Sequence, residues 1–197
     1  MQIRKEILRL PEGQFYSELQ FWNDPDDKQR LLKIYQNWVE LSNEIKELGG
    51  RRVNIPEVLS ESVFCLHFSA GRLIGSIPGA NASFDCFDID SHKRIQVKAC
   101  SISEDLTSFG PKSVWDQLFF IHFYPNGIYD GCYNIYEIPN NLIYSHKINK
   151  NQTFLQQQQQ LRRPRFSLMK DIIGPHKIKT RIQGDLNACD TEDQNSA

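Results

Sequence analysis

The sequence predicts an α/β fold of three layers, a central mixed β-sheet with helices on both faces. Three observations carry that reading. A stretch from Ser83 to Cys100, SFDCFDIDSHKRIQVKAC, has two short runs of alternating character around polar turn residues, the pattern of a β-hairpin. Two strand-like blocks follow it, Leu118 to Tyr124 and IYDGCYNIYEIP, separated by the turn formers Pro125-Asn126-Gly127. Ahead of the hairpin lie segments with helical signals.

The chain opens with an amphipathic segment, QIRKEILRL, read as helical and ended by Pro11-Glu12-Gly13. A second helix is clearly signalled. Asp24 is placed to cap it, Pro25 suits its first turn, Asp26 and Asp27 favour the positive end of its dipole, and Gly49-Gly50 stops it. Leu31, Ile34, Trp38, Leu41, Ile45 and Leu48 keep heptad spacing along it, which fits a helix packed on its own core better than a short dimer seam. A third helix starts near Asn54 to Glu57 and runs through VLSESVFCLHF, with Val58, Leu59, Val63, Phe64, Leu66 and Phe68 toward the sheet. His67 at its end reads as a core or boundary histidine. GRLIGSIPGANA, Gly71 to Ala82, is rich in turn formers and delivers the chain to the hairpin; its glycines either shape a loop or admit a DNA backbone. Beyond the hairpin, SISEDLTSFGPKS is a polar loop, Ser113 to Gln117 is expected to be helical, and Leu118 to Tyr124 a buried strand.

The hairpin carries the chemistry. Gln96 and Lys98 sit two residues apart on one strand, so they share a face, and Val97 points the opposite way. Pairing Asp88 with Lys93 puts Phe87 opposite Arg94 and Asp85 opposite Gln96, so Asp85, Gln96 and Lys98 share a surface. A slip of one residue substitutes Asp88. The first register is preferred because Asp88 lies so close to the turn that an Asx-type turn accounts for it. A carboxylate, a second oxygen donor and a lysine in this arrangement suit metal-assisted phosphodiester hydrolysis: Asp85, the oxygen of Gln96 and the carbonyl of Val97 would hold a hard divalent cation, and Lys98 would position water and stabilise charge on phosphorus. Spacing alone favours an ordinary solvated hairpin, since the pattern is short and common.

SFDCFDIDSHKRIQVKAC, continued by ACSISEDLTSFGPKSVWDQLFFIHFY and IYDGCYNIYEIP, resembles the type II restriction endonucleases of the PD-(D/E)xK superfamily, and among them the small enzymes cutting GCNGC. The resemblance runs through LRRPRFSLMKDII, roughly residues 54–173. It implies a restriction-endonuclease-like α/β/α core with the first acid on Asp85, the lysine on Lys98 and the second acid on Gln96. That last position departs from the pattern, because an amide ligates a metal without bringing charge. Glu57 and Glu61, one turn apart on the third helix and otherwise readable as solvated surface acids, are candidates for the missing charge, as are Glu104 and Asp105 just after the strand.

The 197 residues suit one well-buried domain, with 40% apolar and 24% charged residues as in soluble globular proteins. The reading divides it into a helical part over 1–70, a catalytic sheet core over 71–139, a basic DNA-contacting part over 140–184 and a disordered acidic tail over 185–197. No run approaches a membrane span and the first residues lack a signal-peptide core, so a cytoplasmic protein is expected. Five cysteines with no CxxC pair predict buried thiols and no zinc site; Cys86 and Cys100 are the pair that would face each other loosely across the hairpin. A net charge of −1 conceals an uneven distribution: Arg162, Arg163, Arg165, Lys170, Lys177, Lys179 and Arg181 stand against Asp171 alone. Arg162, Arg163 and Arg165, split by Pro164, predict an extended basic segment that contacts phosphate and groove, in a region whose Asn and Gln side chains suit purine edges. Ser108 and Lys112 are equally readable as phosphate contacts or plain surface residues.

The expected function is that of a type II restriction endonuclease, Mg2+-dependent with Mn2+ able to substitute, cutting double-stranded DNA at a short, GC-containing palindrome. Two equivalent scissile phosphates and one site per chain imply a homodimer, and the resemblance implies a companion methyltransferase. The competing readings are a structure-specific or repair nuclease with the same core and a sequence-specific DNA-binding protein whose Gln96 marks lost catalysis.

Overall fold

The computed structural model describes residues 1–22, 25–81, 83–102 and 104–188. In chain order the elements are β1 (Gln2–Leu10), β2 (Gly13–Phe21), α1 (Pro25–Glu47), α2 (Glu57–Cys65), β3 (Ala70–Leu73), β4 (Cys86–Asp88), β5 (Lys93–Cys100), β6 (Thr107–Ser108), β7 (Gln117–His122), β8 (Cys132–Ile138), α3 (Asn140–Ser145), β9 (Lys147–Asn149), β10 (Gln152–Thr153), α4 (Phe154–Gln159), β11 (Arg165–Phe166), a π-helical turn (Met169–Ile173) running into α5 (Gly174–His176), and β12 (Ile182–Asp185). Eight strands form one sheet in the order β1-β2-β3-β4-β5-β7-β8-β12. It is mixed: β5 and β7 run parallel and every other neighbouring pair is antiparallel.

The three-layer plan holds. One face of the sheet receives α1 and α2: Leu31, Tyr35 and Trp38 of α1 and Leu59, Val63 and Phe64 of α2 close over Ile95, Val97, Phe119, Ile121 and Ile135. On the opposite face Leu118, Phe120, Tyr136 and Ile138 meet Ile143 of α3, Phe154 of α4 and Ile172 of the π-helical turn. A third cluster, Leu8, Leu19, Leu73, Phe84 and Phe87, lies beneath the N-terminal strands. Alternate residues of β7 serve opposite layers, which is why that strand is apolar on both sides, whereas β5 buries Ile95 and Val97 on one face and carries Arg94, Gln96 and Lys98 on the other.

Four expectations are corrected. The amphipathic N-terminal segment is a β-hairpin rather than the start of a helical part over 1–70. Ile3, Ile7 and Leu10 have helical spacing, but Leu8 and Leu10 are the residues that bury while Ile3 and Ile7 remain 53% and 45% exposed. Pairing with GQFYSELQF, whose Leu19 lies opposite Leu73 of β3, decided the outcome. Residues Ser113 to Asp116 do not form a helix: Asp116 is held at the β5 edge, its amide donating to Arg94 O (2.8 Å) and its carboxylate accepting from Arg94 Nε (3.0 Å) and Nη2 (2.8 Å). Cys86 meets Cys65 (Sγ to Sγ 3.7 Å) and not Cys100, since Cys86 and Cys100 project from opposite faces of the sheet. The segment from Asp185 is ordered at its start, with Asp185 ending β12 and Leu186 fully buried. The capping role of Asp24, the tail from residue 189 and Cys189 lie outside the described residues.

On α1, Leu31, Tyr35 and Trp38 bury in the helix's own core, whereas Leu41, and Leu48 just past its end, are exposed. Gly71, in β3 rather than a loop, is where the N-terminal hairpin approaches most closely: a Cβ there would lie 2.7 Å from Leu19 Cβ and 2.9 Å from the Phe21 ring. Gly71→Ala is expected to destabilise the protein by about 1–3 kcal/mol through overpacking, read as a fall in the urea midpoint with an unchanged slope.

Candidate active site

The hairpin folds in the preferred register, with Asp88 opposite Lys93 and Phe87 opposite Arg94. Asp88 is a turn former, its Oδ1 accepting from the amides of Asp90 (3.0 Å) and Ser91 (2.9 Å). Asp85 stands just ahead of β4, its amide bonded to Ile95 O (2.9 Å). Its Oδ2 accepts from Val97 N (2.7 Å) and from Gln96 Nε2. Asp85 and Gln96 therefore do meet, through a contact that bridges the point where β4 stops pairing with β5.

Backbone alternation on β5 sorts the remaining groups. The carbonyls of Arg94 and Cys100 serve Asp116 N (2.8 Å) and Phe123 N (3.0 Å) on the β7 side. The amides and carbonyls of Ile95 and Val97 consequently face β4. Because β4 pairs no further than Cys86 with Ile95, the Val97 carbonyl opens toward the same gap as the Asp85 carboxylate. Gln96 is 2% exposed, and its Oε1 is buried with no hydrogen-bond partner among the described residues.

A cavity of about 250 Å³ occupies this gap. Asp85, Val97 and Lys98 line it from the hairpin, Glu57 and Glu61 from α2, and Asp105, Ser108 and Arg165 from the opposite rim. Ser108 and Arg165 are joined there because β6 and β11 pair with these two residues opposite each other. The Lys98 ammonium lies 5.9 Å from the Phe109 ring centroid, so an aromatic face supports it.

The carboxylates are under electrostatic pressure. Burial pushes Asp85 up to about 6; Lys98 and the Val97 amide pull it back, and Glu57 pushes it further up. Burial and the negative charge of Asp85 raise Glu61 to about 7, against the pull of Arg72. Arg72 Nε donates to Glu61 Oε2 at 2.6 Å. Two acids from different elements thus feel each other's charge across one cavity. Among the described residues no three His, Cys, Asp or Glu side chains converge closely enough to hold a metal by themselves. Asp85 and Val97 line the gap together with the carboxylates of Glu57, Glu61 and Asp105, while Gln96 lies beneath it and turns its Nε2, not its oxygen, to Asp85.

Of the other residues singled out from sequence, Glu57 is exposed at the cavity edge and Asp105 lines it, its Oδ1 accepting from Leu106 N (3.0 Å). Glu104 is exposed and does not line the cavity. Lys112 is not at the site; its main-chain carbonyl accepts from Asn81 Nδ2 (3.1 Å) and Ser83 Oγ (3.3 Å), tying the loop after β6 to the segment before β4. Arg163 is exposed away from the cavity, and Arg162 lies beside Gln152 (3.4 Å) in a separate depression. His67 sits at the boundary with its ring nitrogen 2.7 Å from Tyr133 Oη. Sequence reasoning missed Arg72, for which GRLIG carries no signal; only the pairing of β3 with β4, which sets Arg72 opposite Cys86, brings it to Glu61.

Residues 23–175 match the family model described as the Bsp6I restriction endonuclease. This chain belongs to the Bsp6I restriction endonuclease family. It is 35% identical over 161 residues to the type II restriction enzyme Bsp6I of Bacillus sp. (strain RFL6), covering 78% of this chain and 86% of that protein. No solved structure matches it. The Bsp6I-family match spans α1 through the π-helical turn and so contains every residue of the cavity, whereas β1, β2 and β12 lie outside it. As a member of this family the protein is a type II site-specific deoxyribonuclease, a hydrolase acting on double-stranded DNA.

Proposed function

We propose that this Bsp6I-family enzyme cuts both strands of a short, GC-containing palindrome as a homodimer, through a PD-(D/E)xK-type site built on Asp85, Gln96 and Lys98, with Mg2+ as its cation. The observation that carries the reading is the gap between β4 and β5, where Asp85, the Val97 carbonyl and Lys98 border one cavity and the buried Gln96 oxygen lacks a partner among the described residues. A buried carbonyl oxygen without a donor is costly, and an ion is one way to satisfy it. Asp85, the Val97 carbonyl and, once its amide turns to present the oxygen in place of Nε2, Gln96 would form an all-oxygen donor set that suits a hard divalent cation. Such a cation, when bound, polarises the phosphate and acidifies water. Mn2+ suits the same oxygen set.

The chain's own groups supply the rest. Lys98 faces the scissile phosphate and offsets the charge that builds on its oxygens. Arg165 and Ser108, paired on the far rim, hold the DNA backbone against the cavity. Glu61 supplies the negative charge that an amide at position 96 withholds, and Arg72 fixes its direction. A dimer presents this site to each of the two equivalent strands. Enzymes of this kind imply a methyltransferase that protects the same sequence.

Digesting a plasmid of known sequence with the purified protein tests the reading. Discrete fragments with Mg2+ or Mn2+ and none in EDTA are expected; cutting in EDTA, or random degradation, counts against it. Glu61→Gln is expected to raise the Mg2+ concentration for half-maximal rate about tenfold while leaving fragment sizes unchanged. An unaltered Mg2+ requirement would remove Glu61 from the site.

A further inference from the structure

We infer that the β9–β10 hairpin and α4 form the base-reading surface of this enzyme, with Lys150, Asn151, Gln159 and Arg162 addressing purine edges in the major groove. The inference rests on the proposed DNA cleavage and adds the element that selects the sequence. A depression of about 770 Å³ opens between the hairpin and the helix, and every one of its eight lining residues is an amide or a cation. Among the described residues no carboxylate lines it, although acids slightly outnumber bases in the whole chain, 24 to 23. A solvated polar loop has no reason to exclude acids, whereas a surface facing the electronegative guanine O6 and N7 does.

The surface is built, not loose. Phe154 is fully buried and roots α4 in the core, and Thr153 and Gln156 close a capping box at its start. Gln158 Nε2 donates to the carbonyls of Gly110 (3.2 Å) and Ser113 (3.4 Å), fastening α4 to the loop beyond β6. Gln152 is the hub. Its Nε2 donates to Gln160 Oε1 (2.7 Å), and its Oε1 accepts from Gln157 Nε2 and Arg162 Nη1, both at 3.4 Å. These amides are committed to structure. Lys150, Asn151 and Gln159, by contrast, are exposed, and their side chains make no hydrogen bond among the described residues. A framework of committed amides therefore presents adaptable donors and acceptors outward, and a two-stranded ribbon or a helix is of the right width for the major groove.

Position connects this surface to the cut. Leu161, at φ +57°, turns the chain out of α4, and Arg162 to Pro164 lead directly into β11 at the rim of the catalytic cavity. Buried Pro164 and its carbonyl, which accepts from Phe109 N (3.0 Å), anchor the link. Three extended residues span about 10 Å, which equals about three base-pair steps of DNA at ~3.4 Å each. Arg162 therefore lies no more than about three base-pair steps from Arg165 at the rim.

The test is selection from a pool of randomised duplexes in a Lys98→Ala background, so that binding preference is obtained without reference to cutting. The parent is expected to enrich a defined sequence. Added Lys150→Ala and Gln159→Ala are each expected to relax preference by about tenfold or more at particular positions, with the rest of the sequence still selected. Phosphate contact alone would weaken binding to all duplexes alike and, for Lys150, reduce the salt dependence by about one ion. Uniform weakening with an unchanged preferred sequence, or a parent that selects no sequence, would overturn the inference. Failure of the wild type to cut with Mg2+ or Mn2+ bears on the proposed chemistry alone.

Discussion

Lys98→Ala is expected to abolish cleavage, lowering the rate at least about a thousandfold, while duplex affinity measured without divalent ions changes only a few-fold. The asymmetry follows from where Lys98 sits. It is half-buried at the floor of the gap with Asp85, not on the exposed rim where Arg165 lies, so it contributes little to holding the backbone. Its charge matters when negative charge accumulates on phosphorus, and removing one such preorganised group costs on the order of 10²–10³ in rate by itself. Loss of water positioning compounds that. Lys98→Arg is the informative companion: a planar guanidinium keeps the charge but not the geometry of an ammonium, and is expected to remain far below the wild type. Full activity in either variant, measured by single-turnover cleavage of a labelled duplex, would exclude Lys98 from the mechanism.

Asp85→Asn is expected to be as damaging to cleavage and to move stability in the opposite direction. Asparagine retains an oxygen able to accept from Val97 N, so the local hydrogen bonding survives. It deletes a carboxylate whose burial is unfavourable at neutral pH, as its rise to about 6 records. For an acid raised on folding, the sign is fixed: the charged form costs stability above the folded pKa, and that cost disappears as pH falls below it. In EDTA at pH 7.5 the variant should therefore melt above the wild type, whereas addition of Mg2+ should raise the wild-type Tm more than that of the variant. An active site that holds destabilising charge in reserve behaves this way. A variant that loses both cleavage and thermal stability would mean that Asp85 serves the fold rather than the cation.

Much of this architecture was legible in order of locality. The hairpin register, the turn-forming role of Asp88, helix α1 with its Gly49-Gly50 stop, and strands β7 and β8 all follow from side chains within a few residues of one another. Periodicity and turn chemistry act at that range, and Asp85, Gln96 and Lys98 were readable as one surface for the same reason. The spacing of Ile3, Ile7 and Leu10 was equally local and misleading, because it satisfies a helix as well as a strand.

What the sequence alone determined about this protein is the hairpin that carries Asp85, Gln96 and Lys98 and the chemistry its residue types permit. Tertiary structure decided the N-terminal strands, the meeting of Cys65 with Cys86, the Arg72–Glu61 pair, and the division of the arginines between the rim of the Asp85 cavity at Arg165 and an amide-lined surface at Arg162. Each of these depends on which distant strand or helix arrives alongside. A β-pairing or an ion pair across the sheet joins residues whose separation in the chain carries no signal, and its free energy appears only once both partners are in place.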